Sequence, residues 1–162
     1  MAISRLSQNT LQNAFSKYNN IWDGRSAVGS VEAISSITLS ASQSRIEFNS
    51  IPSTYSHLEL RMFVRGSSTT GSVRLTFNND TSGGAYSRHV LYGNGTSALA
   101  SGASGDSVTA VLGDCSVSSN TSGIFSPFVA QVLDYASTSK RKTIKCLSGY
   151  DANGSGFIEL RS

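Results

Sequence analysis

The sequence predicts an all-β protein: an antiparallel β-sandwich or jelly roll of about nine strands, preceded by a short helical N-terminal arm. Three observations predict it. Near residue 33 the apolar spacing changes from a helix-like stripe to an alternation of period two. The alternating stretches are separated by turns rich in Ser, Gly, Asn and Thr. Charged residues make up only 14% of the 162, yet seven Phe and six Tyr fall mostly inside the alternating stretches and can supply a core. A chain of this length holds one sheet-on-sheet core plus an extension. That divides it into an arm and linker at 1–33 and a β domain at 34–162.

In the arm, Ser7 is placed to cap a helix whose apolar residues Leu11, Ala14, Phe15 and Tyr18 follow i, i+3, i+4, i+7. Ile21 and Trp22 extend the stripe, and Asp23-Gly24 ends it in a turn. A helix of about 12 residues with one stripe is marginal in water and needs a surface to lie on. That surface is either its own β domain or a neighbouring subunit. The small-residue linker Arg25–Ser30 favours the neighbour, because it gives the arm reach. Leu11, Phe15, Tyr18, Ile21 and Trp22 are therefore the expected anchor, with Trp22 foremost because large aromatics dominate interface energies.

From Ile34 the strands follow in order. Ser36–Leu39 and Ile46–Phe48 form a candidate pair, and Pro52 closes the second, since proline has no N–H for a central ladder. His57–Arg65 is the clearest strand: Leu58, Leu60, Met62 and Val64 point one way, opposite Glu59, Arg61 and Arg65. A one-residue slip would bury those charges, so the inward set is fixed. Phe63 sits on the polar side and marks an expected subunit contact. Val73–Phe77, Tyr86–Tyr92, Val108–Leu112, Ile124–Asp134, Thr143–Leu147 and Phe157–Leu160 complete the set, with Asn78–Gly84 and Asn94–Asp106 as loops.

Charge and cysteine usage exclude several classes. A net charge of +3 is too small to argue for nucleic acid, and Arg61, Arg65, Arg74 and Arg88 are dispersed. The cluster Lys140–Lys142 with Lys145 reads as a solvated turn ahead of a phosphate-binding patch. Cys115 and Cys146 cannot make a structural zinc site alone and are not a CxxC pair. Cys146, in a strand-like run, is expected as a free buried thiol, ahead of a disulfide. Met1–Leu11 lacks the apolar core of a signal peptide, and no run approaches the roughly 18 apolar residues of a membrane span.

Catalysis finds no constellation to use. His57 and His89 are the only histidines, no GxSxG elbow occurs, and phosphate-cradling glycine motifs are absent. The ten carboxylates are scattered, with no pair assignable to acid–base work. No catalytic, cofactor-binding or metal-binding residue is assigned, and the chain is not expected to be an enzyme. Asp151–Glu159 does match the first nine positions of a calcium loop, with oxygen ligands at 1, 3 and 5 and glycine at 6. Position twelve is Ser162 rather than a bidentate carboxylate, so a β-turn is the favoured reading.

The order of motifs carries a resemblance. Phe15–Gly24 (FSKYNNIWDG) precedes the Ser36–Leu39 and Ile46–Phe48 pair. Then come Ile51–Arg61 (IPSTYSHLELR), Phe77–Thr81 (FNNDT), Tyr86–Gly93 (YSRHVLYG), Val132–Ala136 (VLDYA) and Lys142–Ile144 (KTI). Over nearly its whole length the chain resembles a family of small virion structural proteins of tailed bacteriophages, including phages of marine bacteria and cyanobacteria. The segments IPxTYxHLxLR and YxxHxLYG are the most specific. The resemblance implies a β-sandwich decoration or fibre-type appendage, assembled in the host cytoplasm and located in the virion. Its implied partners are other virion proteins of capsid, neck or tail. Oligomerisation is expected to bury a sheet edge, with a homotrimer the favoured state. The alternative is a carbohydrate-binding host-adhesion module, in which the 78–84 and 94–106 loops with Tyr86 and Tyr92 would present a glycan platform. Members of the family continue past the segment matching Phe157–Ser162, so an open sheet edge is expected near this end.

Overall fold

A computed structural model describes residues 31–162, except the side chains of Asp106 and Ser107. The helical arm and its anchor residues Leu11, Phe15, Tyr18, Ile21 and Trp22 lie outside the described residues. The chain divides into two units, residues 1–51 and residues 52–162. In the first, residues 31–51 carry no β-ladder, and Ile34, Ile37, Leu39, Ile46 and Phe48 are all exposed. The expected strand pair Ser36–Leu39 and Ile46–Phe48 is thus not formed among the described residues. Two short alternating segments have the side-chain pattern of strands, but a lone pair without a third strand is marginal.

The second unit is all-β. Its strands are β1 (Leu58–Val64), β2 (Ser72–Leu75), β3 (Tyr86–Gly93), β4 (Ala98–Ser107), β5 (Ala110–Asp114), β6 (Ser126–Leu133), β7 (Thr143–Asp151) and β8 (Gly156–Arg161). They make a six-stranded sheet, ordered β1-β6-β7-β8-β3-β4, and a two-stranded ribbon, β2-β5. Every pairing is antiparallel. The ribbon packs through β5 against β7, β8 and β3, giving a sandwich-like arrangement of unequal layers. Among the described residues there are eight strands where about nine were expected. Two expected strands are missing, and β4 occupies a stretch expected to be loop.

The inner face follows from the alternation. Leu58, Leu60, Met62 and Val64 of β1 all turn inward, half-buried, while Glu59, Arg61 and Phe63 are exposed. Leu60 and Met62 pair with Ala130 and Phe128 of β6, and Phe128 is 1% exposed. Leu112, Cys115, Phe128, Ala130 and Cys146 form the buried core cluster, with Val73 and Leu75 of the ribbon packed on it. Leu112 gets there by a bulge. The β2–β5 register runs Val73↔Gly113 and then Arg74↔Val111, so Leu112 is the extra residue and its side chain enters the core.

The sheet's edges are β1 and β4, whereas β8 is paired on both sides, to β7 and β3. The open edge expected near Ser162 is therefore absent, and Ser162 itself exchanges both backbone bonds with His89. Arg65, expected on the charged side of β1, instead swings its guanidinium onto the Asn120 carbonyl at 2.9 Å.

Cys115 and Cys146 are both free and buried. Burial pushes the Cys146 thiol up to about 11, and the nearby Glu159 carboxylate adds in the same direction. Because this acid is harder to ionise folded than unfolded, the stability it contributes is full below its ordinary value of 9.0 and is lost as pH rises towards 11. At about pH 8 the native protein should keep Cys146 unlabelled by iodoacetamide, and denaturant should release it to full labelling, both read by mass spectrometry. Rapid native labelling of Cys146 would contradict its place in the core.

Candidate functional site: the open face of the sheet

The ribbon packs on the middle of one face of the six-stranded sheet, and the outward residues of the other face make a second apolar surface. Register places them in rows. Arg61 of β1 pairs with Val129, Val129 with Leu147, Leu147 with Leu160, Leu160 with Leu91, and Leu91 with Ala100 of β4. Residues directly opposite in antiparallel strands share a face, so Val129, Leu147, Leu160 and Leu91 form one unbroken apolar row. A second row holds Phe63 opposite Pro127, and Ile158 opposite Gly149 and Gly93. Phe63 is 79% exposed and Ile158 61%, while the four-residue row is between 37% and 54% exposed. Scattered single apolar residues on a surface need no explanation, but a contiguous band does.

The third row of this face is polar. Glu59 pairs with Gln131 and Gln131 with Lys145. Glu59 accepts hydrogen bonds from Gln131 Nε2 at 3.1 Å and Arg61 Nε at 2.6 Å, and these hold its carboxyl below the usual range. The band is thus apolar in the middle and mixed in charge along one margin.

Sequence reasoning had singled out Phe63 as an apolar residue on a polar face, and the structure places it in this band. It missed the rest. The available signal was that β6, β7 and β8 carry apolar residues on both parities, as in Phe128-Val129, Cys146-Leu147 and Phe157-Ile158, which a half-solvated strand does not need.

The other candidate residues are dispersed. His57 Nδ1 accepts a hydrogen bond from the Asp134 backbone N–H at 3.0 Å, tying the start of β1 to the end of β6. His89 is on β3, separated from β1 in the sheet by β6, β7 and β8, about 19 Å across four strand spacings. Lys140 bonds Asp134 at 2.9 Å, and Lys142 Nζ donates to the carbonyls of Asp134, at 2.9 Å, and Ser137. Two of the four clustered cations are therefore engaged by their own turn. Lys140 holds the Asp134 carboxyl below the usual range.

Tyr86, expected in a glycan platform, has its hydroxyl between the Phe77 N–H at 3.3 Å and the Asp80 carbonyl at 3.1 Å. It closes the 77–86 loop on itself. The 94–106 stretch of that platform is mostly β4. Asp151–Gly156 is the β7–β8 hairpin turn: Asp151 Oδ1 accepts the Gly154 N–H at 3.0 Å, and Asn153 and Gly154 are left-handed. That is the turn chemistry Asn and Gly supply. Among the described residues no three His, Cys, Asp or Glu side chains gather as metal ligands. A shallow depression lined by Ile37, Leu39, Ile46 and Arg45 lies within residues 31–51, and its Arg45 and Glu47 pair with each other at 2.8 Å.

One polar cluster is buried between the layers. Glu159 accepts from the Asp114 N–H at 2.8 Å, Ser148 Oγ at 3.2 Å, and Arg161 Nε and Nη2 at 2.9 Å each. Every charge in it is bonded inside the protein. It fastens the ribbon to the sheet and presents no reactive group to solvent.

No family model matches the chain, and neither the curated proteins nor the solved structures contain a significant match to it.

Proposed function

We propose that this chain is a structural subunit of a tailed-bacteriophage virion, a decoration or fibre-type appendage fastened through residues 1–33. The observation that carries the assembly reading is the apolar band on the open face of the sheet. A subunit with Phe63, Val129, Leu147, Ile158, Leu160 and Leu91 side by side in water gains by being covered. The phage assignment rests on the resemblance of Ile51–Arg61 and Tyr86–Gly93 to that family's motifs, and the anchor on the apolar pattern of the arm. The β unit is then the projecting part.

The full chain carrying Trp22→Ala should still fold but join particles less well, with association weaker by at least about 2 kcal/mol if Trp22 is an interface anchor. Occupancy on purified particles, counted by quantitative mass spectrometry, reads this. Normal occupancy would remove the arm from the attachment, and absence of the wild-type chain from particles would remove the virion assignment.

A further inference from the structure

We infer that the open face of the six-stranded sheet is a self-association surface that packs against the same face of a second copy of this chain. The inference rests on the assembly reading above and names the partner of that same surface.

Shape and size favour another sheet as occupant. The apolar row crosses from β6 to β3, and the sheet spans six strands, about 24 Å at the usual strand spacing. A single helix is only about 10 Å across, so it would cover the two apolar rows, which lie about 7 Å apart, but leave the flanking rows of the face wet. A second sheet, stacked about 10 Å away, covers it all. With strands about seven residues long, the face has a projected area of roughly 500–600 Å². Side-chain relief raises that towards the ~800 Å² per partner of a standard stable interface.

The charge pattern favours a copy over a partner of strong sign. The apolar rows hold no charge except Arg61 at their β1 end, and Arg61 is bonded to Glu59. The margin combines Glu59, Arg61 and Lys145, so it selects neither an acidic nor a basic partner. Two such faces related by a two-fold axis bury their central leucines together and leave the mixed margins at the rim. One operation covers both patches, which is the economy of an isologous contact.

The purified full-length chain should sediment as a dimer at micromolar concentration. Leu147→Glu combined with Leu160→Glu should weaken that association roughly 30-fold or more. Both side chains are half-exposed, so the variant should keep its circular dichroism spectrum. Hydroxyl-radical footprinting of the wild type adds a readout independent of the variant: Leu91, Leu147 and Leu160 should become protected as concentration rises. A wild-type monomer at all concentrations, or an oligomer undiminished by the two glutamates and unprotected at these leucines, overturns the inference. If the wild type is monomeric and the double variant fails to join particles, the face serves a different virion protein. The inference then falls while the assembly reading stands. If incorporation is also unchanged, the face has no part in assembly and the inference falls, while attachment through residues 1–33 remains to be judged by the Trp22 variant.

Discussion

Glu159→Ala should destabilise the β unit by about 3–5 kcal/mol, the usual cost of removing one partner from a buried ion pair. The Glu159 side chain is only 3% exposed and that of Arg161 11%. Its removal orphans three groups at once: the Arg161 guanidinium, the Asp114 N–H and the Ser148 hydroxyl. Asp114 remains 3.8 Å from Arg161, but it is on the solvent side and too distant for a strong bond. Replacing both charges, Glu159→Met with Arg161→Met, should recover much of the loss, because no unpaired charge is then left inside. Urea denaturation of the three proteins measures this. A single variant as stable as the wild type would show that the pair does not hold the layers together. A double variant no better than the single would show that the Asp114 and Ser148 bonds, rather than the charge of Arg161, carry the effect.

This network also shows where the sequence stops being legible. Glu159 and Arg161 are two apart on one strand and so share a face, which could be read directly. Which face it was could not, because Ile158 and Leu160 on the other parity are the more apolar pair and argue for the opposite choice. The decision is made by Asp114 and Ser148, 45 and 11 residues away. By contrast, β1 was legible throughout: its charges all lie on one parity, and any slip buries them. β4 was not, because Ala98–Ser107 consists largely of Ala, Ser and Gly, with neither alternation nor β-branched residues. It becomes a strand because β3 offers it a ladder, which is tertiary context. The bulge at Leu112 was invisible for a related reason, since one extra residue changes register only relative to β2. Strands that carry their own reason for orientation can be read, and those oriented by a distant partner cannot. The open apolar face belongs to the second kind, because its rows exist only once five strands are aligned.

Gly113→Ala should be the most damaging small substitution in the ribbon, costing at least about 3 kcal/mol, at or above the usual range for overpacking. The added methyl would sit well inside contact distance of Ser148 Oγ and Glu159 Oε1 and 3.0 Å from Phe128 Cε1. None of these can retreat cheaply. Ser148 and Glu159 are held by the buried hydrogen-bond network, and Phe128 is 1% exposed at the centre of the core. The ribbon must therefore lift, which lengthens the Asp114 N–H to Glu159 bond and withdraws Leu112 from the cluster it fills. Packing and polar terms fail together, so the effect exceeds that of one methyl elsewhere. Gly83→Ala is the matched control: a Cβ there meets nothing within 4 Å, and the change should stay within about 0.5 kcal/mol. Chemical denaturation of the two variants beside the wild type decides it. Equal stability for both would mean that the ribbon can slide over the sheet to admit the methyl. The Glu159 network would then be a consequence of the layering rather than the contact that fixes its spacing.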